Sequence, residues 1–488
     1  MKRLNAIPGS GAALTLLLGG CSLAPPLKTP DIPTAVVYKE IGPWTQAQPS
    51  DRLPRDSWWT LYDNAELVEL QKRLIAGNAT LAAALANYAQ ARALSDQARA
   101  GLFPSLGVGA NPERARESVN DPLRGPTAPT QYNANMLGGS VSYELDLWGR
   151  IRNEVAAGEA NAAAAAADLE NARLSLIAQL VDDYVQLRSL DSDSAILDET
   201  VTAYTRALSI TQQRHDAGIA PGLDVSQAQT QLDAARSQAA QTLAQRALME
   251  HAIAALLGVS ASTFSIDTEI VAIELPHIPS GVPSTLLQRR PDIAAAQRRM
   301  IAANANIGVA RAAYFPTLTL GAQGGFQSNA FSNWLSAPSS FWAIGPNALL
   351  SVFDGGLRRA QVAQARAEFD ASAANYRSTV VNAFQQVEDS LATLNHYHDA
   401  ALEEKAALEA ARRTLDLSMI LYVKGATDYL TVVTSQTAVL QTQLEALNLD
   451  TLQLRASVAL IRALGGGWEG SERTPNTQAM AMNLVKYP

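Results

Sequence analysis

Sulfur, aromatic rings and clustered positive charge are all scarce in this chain. Its 488 residues include one cysteine, Cys21, which excludes an intrachain disulfide and a thiolate metal cluster. Of the five histidines, His396 and His398 stand two apart on what reads as a helix, so their rings point in different directions and do not converge on a metal. No phosphate-binding loop, nucleophile elbow or zinc spacing occurs, so neither an enzyme nor a bound cofactor is expected. The 46 acidic residues exceed the 38 basic ones and no Lys/Arg-rich run appears, which argues against nucleic-acid binding. Aromatics are only 6% although apolar residues reach 47%. The difference is largely alanine, a residue that favours helices and builds thin, close-packed cores.

The N-terminus is built differently from the rest. Lys2-Arg3 precede a short apolar stretch, Ala12 to Leu18, and then Leu18-Gly19-Gly20-Cys21. The apolar stretch is far below the ~20 residues that cross a bilayer, so residues 1–20 read as a signal peptide. A small residue before cysteine matches a bacterial lipoprotein cleavage site, which makes Cys21 the attachment point for diacylglycerol and an N-acyl, palmitate-type chain. Cleavage removes two positive charges and takes the net charge from −8 to about −10. Ser22 stands where an aspartate often retains lipoproteins at the inner membrane, so sorting to the outer membrane is expected. Several acyl chains, at about 0.8 kcal/mol per buried CH2, hold a protein firmly on a membrane.

The body of the chain is written twice. At a constant offset of 207, Gly149, Arg152 and Asp182 meet Gly356, Arg359 and Asp389. Gly218, Leu223, Val225, Gln229 and Thr230 meet Gly425, Leu430, Val432, Gln436 and Thr437, and Leu257-Gly258 meets Leu464-Gly465. A duplication of this length predicts a pseudo-symmetric architecture. After the signal peptide the expected order is a proline-rich extended tether (21–63), a first repeat (64–258), a linker (259–291), a second repeat (292–467) and a tail (468–488). Helical pattern begins near Asn64 and ends before Phe103-Pro104, because proline disfavours helix at the residue before it.

Each repeat carries one stretch of strict alternation. Leu106, Val108 and Ala110 alternate with Ser105, Gly107 and Gly109, and Val141, Tyr143 and Leu145 alternate with Ser142, Glu144 and Asp146. In the second copy Leu318, Leu320 and Ala322 alternate with Thr317, Thr319 and Gly321, and Ala348, Leu350 and Val352 alternate with Asn347, Leu349 and Ser351. Two hairpins follow, at about 104–146 and 316–353, apolar on one face and small or polar on the other. On the strands alone this fits a half-buried soluble hairpin as well as a membrane strand; the lipoprotein signal favours the membrane. Four strands cannot close a membrane barrel, and an open edge in lipid leaves backbone groups unpaired, so oligomerisation is required. Two copies would supply eight strands and three would supply twelve.

A helix of roughly 65 residues follows each hairpin, about 149–216 and 356–424, or about 100 Å at 1.5 Å per residue. Each turns at glycine, Gly218 to Gly222 and Gly425 to Tyr429, and returns as a helix of about 35 residues. The fold class is therefore mainly α with a membrane β-barrel part, made from a duplicated unit of β-hairpin, long helix and shorter helix.

From Cys21 to about Gly467 the chain resembles the TolC-like outer-membrane efflux ducts, in the lipoprotein branch that serves resistance-nodulation-division pumps. The resemblance rests on residues 20–26, on Ser57-Trp58-Trp59 with Leu61, Asp63, Leu67 and Leu70, and on Leu286-Leu287-Gln288-Arg289-Arg290-Pro291-Asp292-Ile293. Ala302-Ala303, Ile307-Gly308, Ala310-Arg311-Ala312 and Phe315-Pro316 complete it in order. It implies a homotrimer whose 12-stranded β-barrel is continuous with an α-helical barrel, docking to a periplasmic adaptor and an inner-membrane transporter. It also implies a periplasmic gate at the helix turns, with Asp224 as the constriction carboxylate and Tyr422 and Asp428 flanking Gly425. Asp224-x-x-Gln227 is at the same time a capping box, so Asp224 is read both as a helix cap and as a gate residue. Thr431 and Thr434 stand where some relatives place aspartates. The rival reading is a lipid-anchored helical stalk without a pore, which would not need the four alternating strands.

Overall fold

Two runs of 67 residues each form a single unbroken α-helix, which is the length the repeat demands. The computed structural model describes residues 22–32, 37–40, 57–120, 125, 127, 129–276, 278 and 289–466, and these described residues form seven α-helices and four strands. Helix α1 covers Ala65–Gly77 and α2 Ala79–Ala100, followed by strands β1 (Ser105–Arg116) and β2 (Gln131–Glu144). Helices α3 (Arg150–Asp216) and α4 (Gly222–Leu256) complete the first copy. The second holds α5 (Pro291–Ala312), β3 (Thr317–Ser328), β4 (Ser340–Leu349), α6 (Leu357–Val423) and α7 (Tyr429–Ala463). Helices α6 and α7 start and stop 207 positions after α3 and α4, residue for residue. Upstream, α2 and α5, and β1 and β3, also match in length, but 212 positions apart (79 to 291, 105 to 317). The duplicated unit thus starts one helix earlier than sequence identity reveals, and its offset changes by five within the hairpin.

The chain divides into two compact units. The first comprises Met1–Pro30, Asn87–Ala165 and Ala296–Tyr376 and contains the sheet. All four strands join one antiparallel sheet in the order β1-β2-β3-β4, so the two hairpins pair through β2 and β3 while β1 and β4 are open edges. The register carries the alternation across the whole sheet. Leu106, Val141, Ala322 and Ile344 form one lateral row, and Val108, Gly139, Gly324 and Trp342 the next, all on the apolar face. Ser105, Ser142 and Gly321 with Gly345, and Gly107, Ser140 and Gln323 with Ala343, occupy the opposite face. Val108 is 79% exposed and Trp342 80%, so their row of the apolar face has no protein cover among the described residues. Twelve residues tilted as in membrane barrels rise about 30 Å, enough for the apolar band of an outer membrane.

Two strands end before the expected alternation does: β2 stops at Glu144, so Leu145 and Asp146 lie beyond it, and β4 also stops short. β4 occupies Ser340–Leu349, so Leu350 and Val352 lie beyond it. Leu349 already pairs with Thr317, the first residue of β3, and the ladder has no partner to offer further on. The helices of this unit meet through small residues: Ala157, Ala160, Ala302 and Ala305 form a buried cluster. A Cβ on Gly158 would come within 3.2 Å of the Ser95 backbone, which shows how tightly these helices are packed. Residues 22–25 are fastened to the same unit. Asn153 Oδ1 accepts from the Ser22 hydroxyl at 2.9 Å, Arg311 donates to the Leu23 carbonyl at 3.1 Å, and Asn304 donates to the Pro25 carbonyl at 2.9 Å. Gly308 makes room for them, since a Cβ there would sit 2.8 Å from the Ala24 nitrogen.

The second unit comprises Asp31–Ala86, Ala166–Ala295 and Arg377–Pro488 and holds the larger core. Trp58, Tyr62, Leu67, Leu70 and Leu74 pack against Leu180, Tyr184 and Leu187 of α3, Val387 and Leu391 of α6, and Leu460 and Ile461 of α7. Full burial of each such leucine stabilises the fold by about 1.5–3 kcal/mol. The helix expected from Asn64 to about Ala100 is broken at Asn78. A Cβ on Gly77 would lie 2.5 Å from the Leu257 carbonyl oxygen, and Asn78 bonds across to Leu256 at 2.8 Å while capping α2 through Leu81 N–H. Helix α1 ends there to let the end of α4 approach.

Buried charges secure the irregular segments of this unit. The Asp191 carboxylate accepts from Arg188 at 2.7 Å, from Arg246 at 2.6 Å and from the Glu269 backbone N–H at 3.3 Å. Arg188 and Arg246 also donate to the carbonyls of Asp267 and Ile266, so the stretch after α4 is stitched onto α3 and α4. In the Arg290-Pro291-Asp292 motif, Arg290 holds Asp292 through two bonds and donates to the Ala463 carbonyl at 2.9 Å, capping the C-terminus of α7. Residues 286–288 of the motif, Cys21 with the signal peptide, and the tail from 467 onward lie outside the described residues.

Candidate functional site

Both long helices end in the same way. Gly218 and Gly425 adopt φ of 71° and 74°, a left-handed backbone natural to glycine. Ile219 N–H then bonds the Arg214 carbonyl and Gly218 N–H that of His215, at 2.8 Å each, while Ala426 and Gly425 repeat the pattern on Leu421 and Tyr422 at 2.9 Å. These are Schellman motifs, which satisfy the orphan carbonyls of a helix end.

The turns diverge where the return helices begin. Asp428 is the N-cap of α7: its carboxylate accepts from Thr431 N–H at 3.1 Å and from the Thr431 hydroxyl at 2.7 Å. Those bonds hold the Asp428 carboxyl below the usual carboxylate range. The N-cap of α4, at the equivalent place, is Pro221, which has no side-chain oxygen to offer. Asp224 lies three residues inside, so it is not the cap expected for α4; only the second copy has a side-chain cap, Asp428 on α7. Position 431, equivalent to 224, holds the threonine that Asp428 engages.

Freed from capping, the half-buried Asp224 faces across to α6. Its carboxylate accepts from the Tyr422 hydroxyl at 3.4 Å. Tyr422 is 3% exposed, its ring lies 5.1 Å from that of Tyr429, and burial pushes its hydroxyl above the usual tyrosine range. Both rings belong to a small buried cluster with Ala228, Val432 and Val433. Asp224 in the first turn of α4 also favours that helix's dipole, by about 0.3–1 kcal/mol.

A fourth residue belongs to this arrangement. The Arg214 guanidinium sits 4.8 Å above the centre of the Tyr422 ring and donates to the carbonyl of Val423, the last residue of α6, at 3.1 Å. It therefore ties the end of α3 to the end of α6 by a cation–π contact and a charge-assisted bond at a helix C-terminus. Sequence reasoning missed it because the repeat hides it: at offset 207 Arg214 corresponds to Leu421, and His215 to Tyr422. The signal available was that mismatch within an otherwise matching turn. Of the three residues expected to form the gate, the fold brings Asp224 and Tyr422 together. Asp428 is exposed and bonds to Thr431.

Around the turns the surface is apolar. Ile219 and Leu223 are each 64% exposed, and Val423 and Leu430 about half exposed. Among the described residues no group of His, Cys, Asp or Glu is placed to hold a metal, and no helix is long and apolar enough to cross a membrane.

The comparisons with known proteins agree on what such a body is. The family model for outer membrane efflux proteins matches residues 70–259 and 282–466. The probable efflux pump outer membrane protein TtgC of Pseudomonas putida is 30% identical over 472 residues, covering 96% of this chain and 97% of that protein. The pyoverdine export outer membrane protein OpmQ of the same species is 32% identical over 470 residues, with 94% and 97% covered. The solved structure of the outer-membrane channel OprN superposes with a TM-score of 0.85 at 30% identity, covering 92% of this chain and all of that one. With four alternating strands, duplicated long helices and these likenesses in hand, the chain belongs to the outer membrane efflux protein family and is a TolC-like efflux channel of the outer membrane.

Proposed function

We propose that three copies of this chain form the outer-membrane duct of a tripartite efflux system, passively conducting drugs, metals or other small solutes from an inner-membrane pump and periplasmic adaptor to the outside. The observation that carries this reading is the open-edged sheet. Edges β1 and β4 must be paired if the apolar face meets lipid, because an unpaired backbone group in hydrocarbon costs several kcal/mol. Three sheets give twelve strands. Cys21, one residue before the anchored Ser22, carries the diacylglycerol and N-acyl groups. The pump is of the resistance-nodulation-division class, and the adaptor covers the apolar turn residues Ile219, Leu223, Val423 and Leu430, whose exposure calls for a partner.

In the resting state the turns are latched. Arg214 and Asp224 hold Tyr422 from two sides, and three-fold repetition sets carboxylates of Asp224 and Asp428 around the aperture, favouring cations there. Adaptor binding shifts the turns from closed to open, and the pump supplies the energy. Planar-bilayer recording tests the latch: Asp224→Ala raises the leak conductance of the purified channel, whereas an unaltered closed state removes Asp224 from the gate.

A further inference from the structure

At its outer end, β1 sorts charge by face. The strand runs Asn111-Pro112-Glu113-Arg114-Ala115-Arg116, and the register sets Arg114 opposite Asn133 and Arg116 opposite Gln131. Both arginines therefore lie on the face that carries Leu106, Val108 and Ala110, while Glu113 lies on the polar face with Ser105 and Asn111. Both are exposed. Arg114 donates to the neutral Gln131 Oε1 at 3.4 Å, and neither guanidinium meets a carboxylate among the described residues.

Depth gives the pair its meaning. The helices leave the sheet at the end marked by Ser105, Glu144 and Thr317, so the hairpin end, with Arg116, Gln131 and Ser328, is the outward one in an outer-membrane channel. Along the outer face the rows Val108-Gly139-Gly324 and Ala110-Leu137-Phe326 are apolar or small, and the row Pro112-Asn135-Ser328 turns polar. Arg114 and Arg116 occupy the next two rows. An arginine aimed at hydrocarbon is destabilising at the midplane and tolerated near the interface. Here two of them, about 7 Å apart along one strand, stand just beyond the apolar band.

We propose that Arg114 and Arg116 form a binding site for the phosphate groups of outer-leaflet glycolipid. A planar guanidinium matches phosphate with two parallel bonds, and two on one strand face span the headgroup of a bisphosphorylated lipid. Placing the carboxylate of Glu113 on the other face keeps like charge away from the phosphates. The lipid annulus at this strand is then bound by charge as well as by the apolar band.

Native mass spectrometry of the full-length channel, released from detergent with defined lipids, tests the site. The probes are bisphosphorylated lipid A, its dephosphorylated form, and phosphatidylglycerol. The wild-type channel retains bisphosphorylated lipid A and not the dephosphorylated form. At about a fivefold effect per basic residue at an anionic surface, R114Q or R116Q each weakens retention about fivefold and the double variant roughly 30-fold. R114K/R116K, which keeps the charge but not the paired bonds, falls between, and E113Q on the opposite face matches wild type. Equal retention of bisphosphorylated lipid A by the double variant overturns the proposal. So does phosphatidylglycerol binding as strongly as lipid A, because the site would then be indifferent to the glycolipid.

Discussion

Removing the Arg214 side chain should open the channel more than any other single change at the turns. The guanidinium over Tyr422 contributes about 1–2 kcal/mol as a partly desolvated cation–π contact, and its bond to the Val423 carbonyl adds about 1.5 kcal/mol. Some of this is offset by its buried, unpartnered Nε, so the net is about 2–3 kcal/mol per chain. Arg214→Ala then shifts the closed-to-open ratio by roughly 30- to 150-fold per latch. Tyr422→Phe keeps the ring and removes the hydroxyl's 3.4 Å bond to Asp224, at the outer limit for oxygen donors, with its bond to Thr211, so it costs about 0.5–1 kcal/mol, or roughly two- to fivefold. Asp428→Ser removes a charge but retains a capping oxygen, and α7 should begin where it does now. The assay is leak conductance of each purified variant in planar bilayers at fixed salt. The ranking Arg214→Ala, then Tyr422→Phe, then Asp428→Ser follows from the geometry. A Tyr422→Phe channel that leaks as much as Arg214→Ala would refute it and make the hydroxyl–carboxylate bond the latch.

Two further predictions concern the helical unit. Asp191→Ala leaves Arg188 and Arg246 buried without their counter-ion and should cost about 3–5 kcal/mol, with the stretch 264–276 becoming the first site of protease cleavage; unchanged limited proteolysis would disprove the clamp. Burial, and then the charge of Asp182, pushes the Asp183 carboxyl up to about 6. A carboxyl raised on folding binds more protons in the native state, so its penalty is fully present above pH 6 and relaxes as pH falls from 6 towards 4. Asp183→Asn should therefore raise the melting midpoint at pH 7.5 and flatten its rise between pH 6 and 4, and a variant less stable than wild type at pH 7.5 would contradict that sign.

The duplication was legible because it is carried by turn glycines and helix-face residues spread over more than 100 positions, and α3 with α6 and α4 with α7 obey its offset to the residue. The strand faces were legible for a similar reason, since period-2 alternation at Leu106 to Ala110 and Leu318 to Ala322 needs no tertiary information. Boundaries set by a neighbour were not. Helix α1 ends at Gly77 because the end of α4 arrives there, and β4 ends at Leu349 because β3 has run out of residues. The site shows the same division. Asp224 and Tyr422 were found through a family pattern, but the identity of the cap depended on which residue stands three before the first turn's end, Pro221 in one copy and Asp428 in the other. Arg214 acts through space on a different helix, and only its mismatch with Leu421 in the repeat announces it.

The number of chains in the channel is the measurement that bears most directly on this account. Native mass spectrometry of the detergent-extracted protein should find three chains per complex, so that twelve strands close the edges left open at β1 and β4. Two chains, or one, would contradict it.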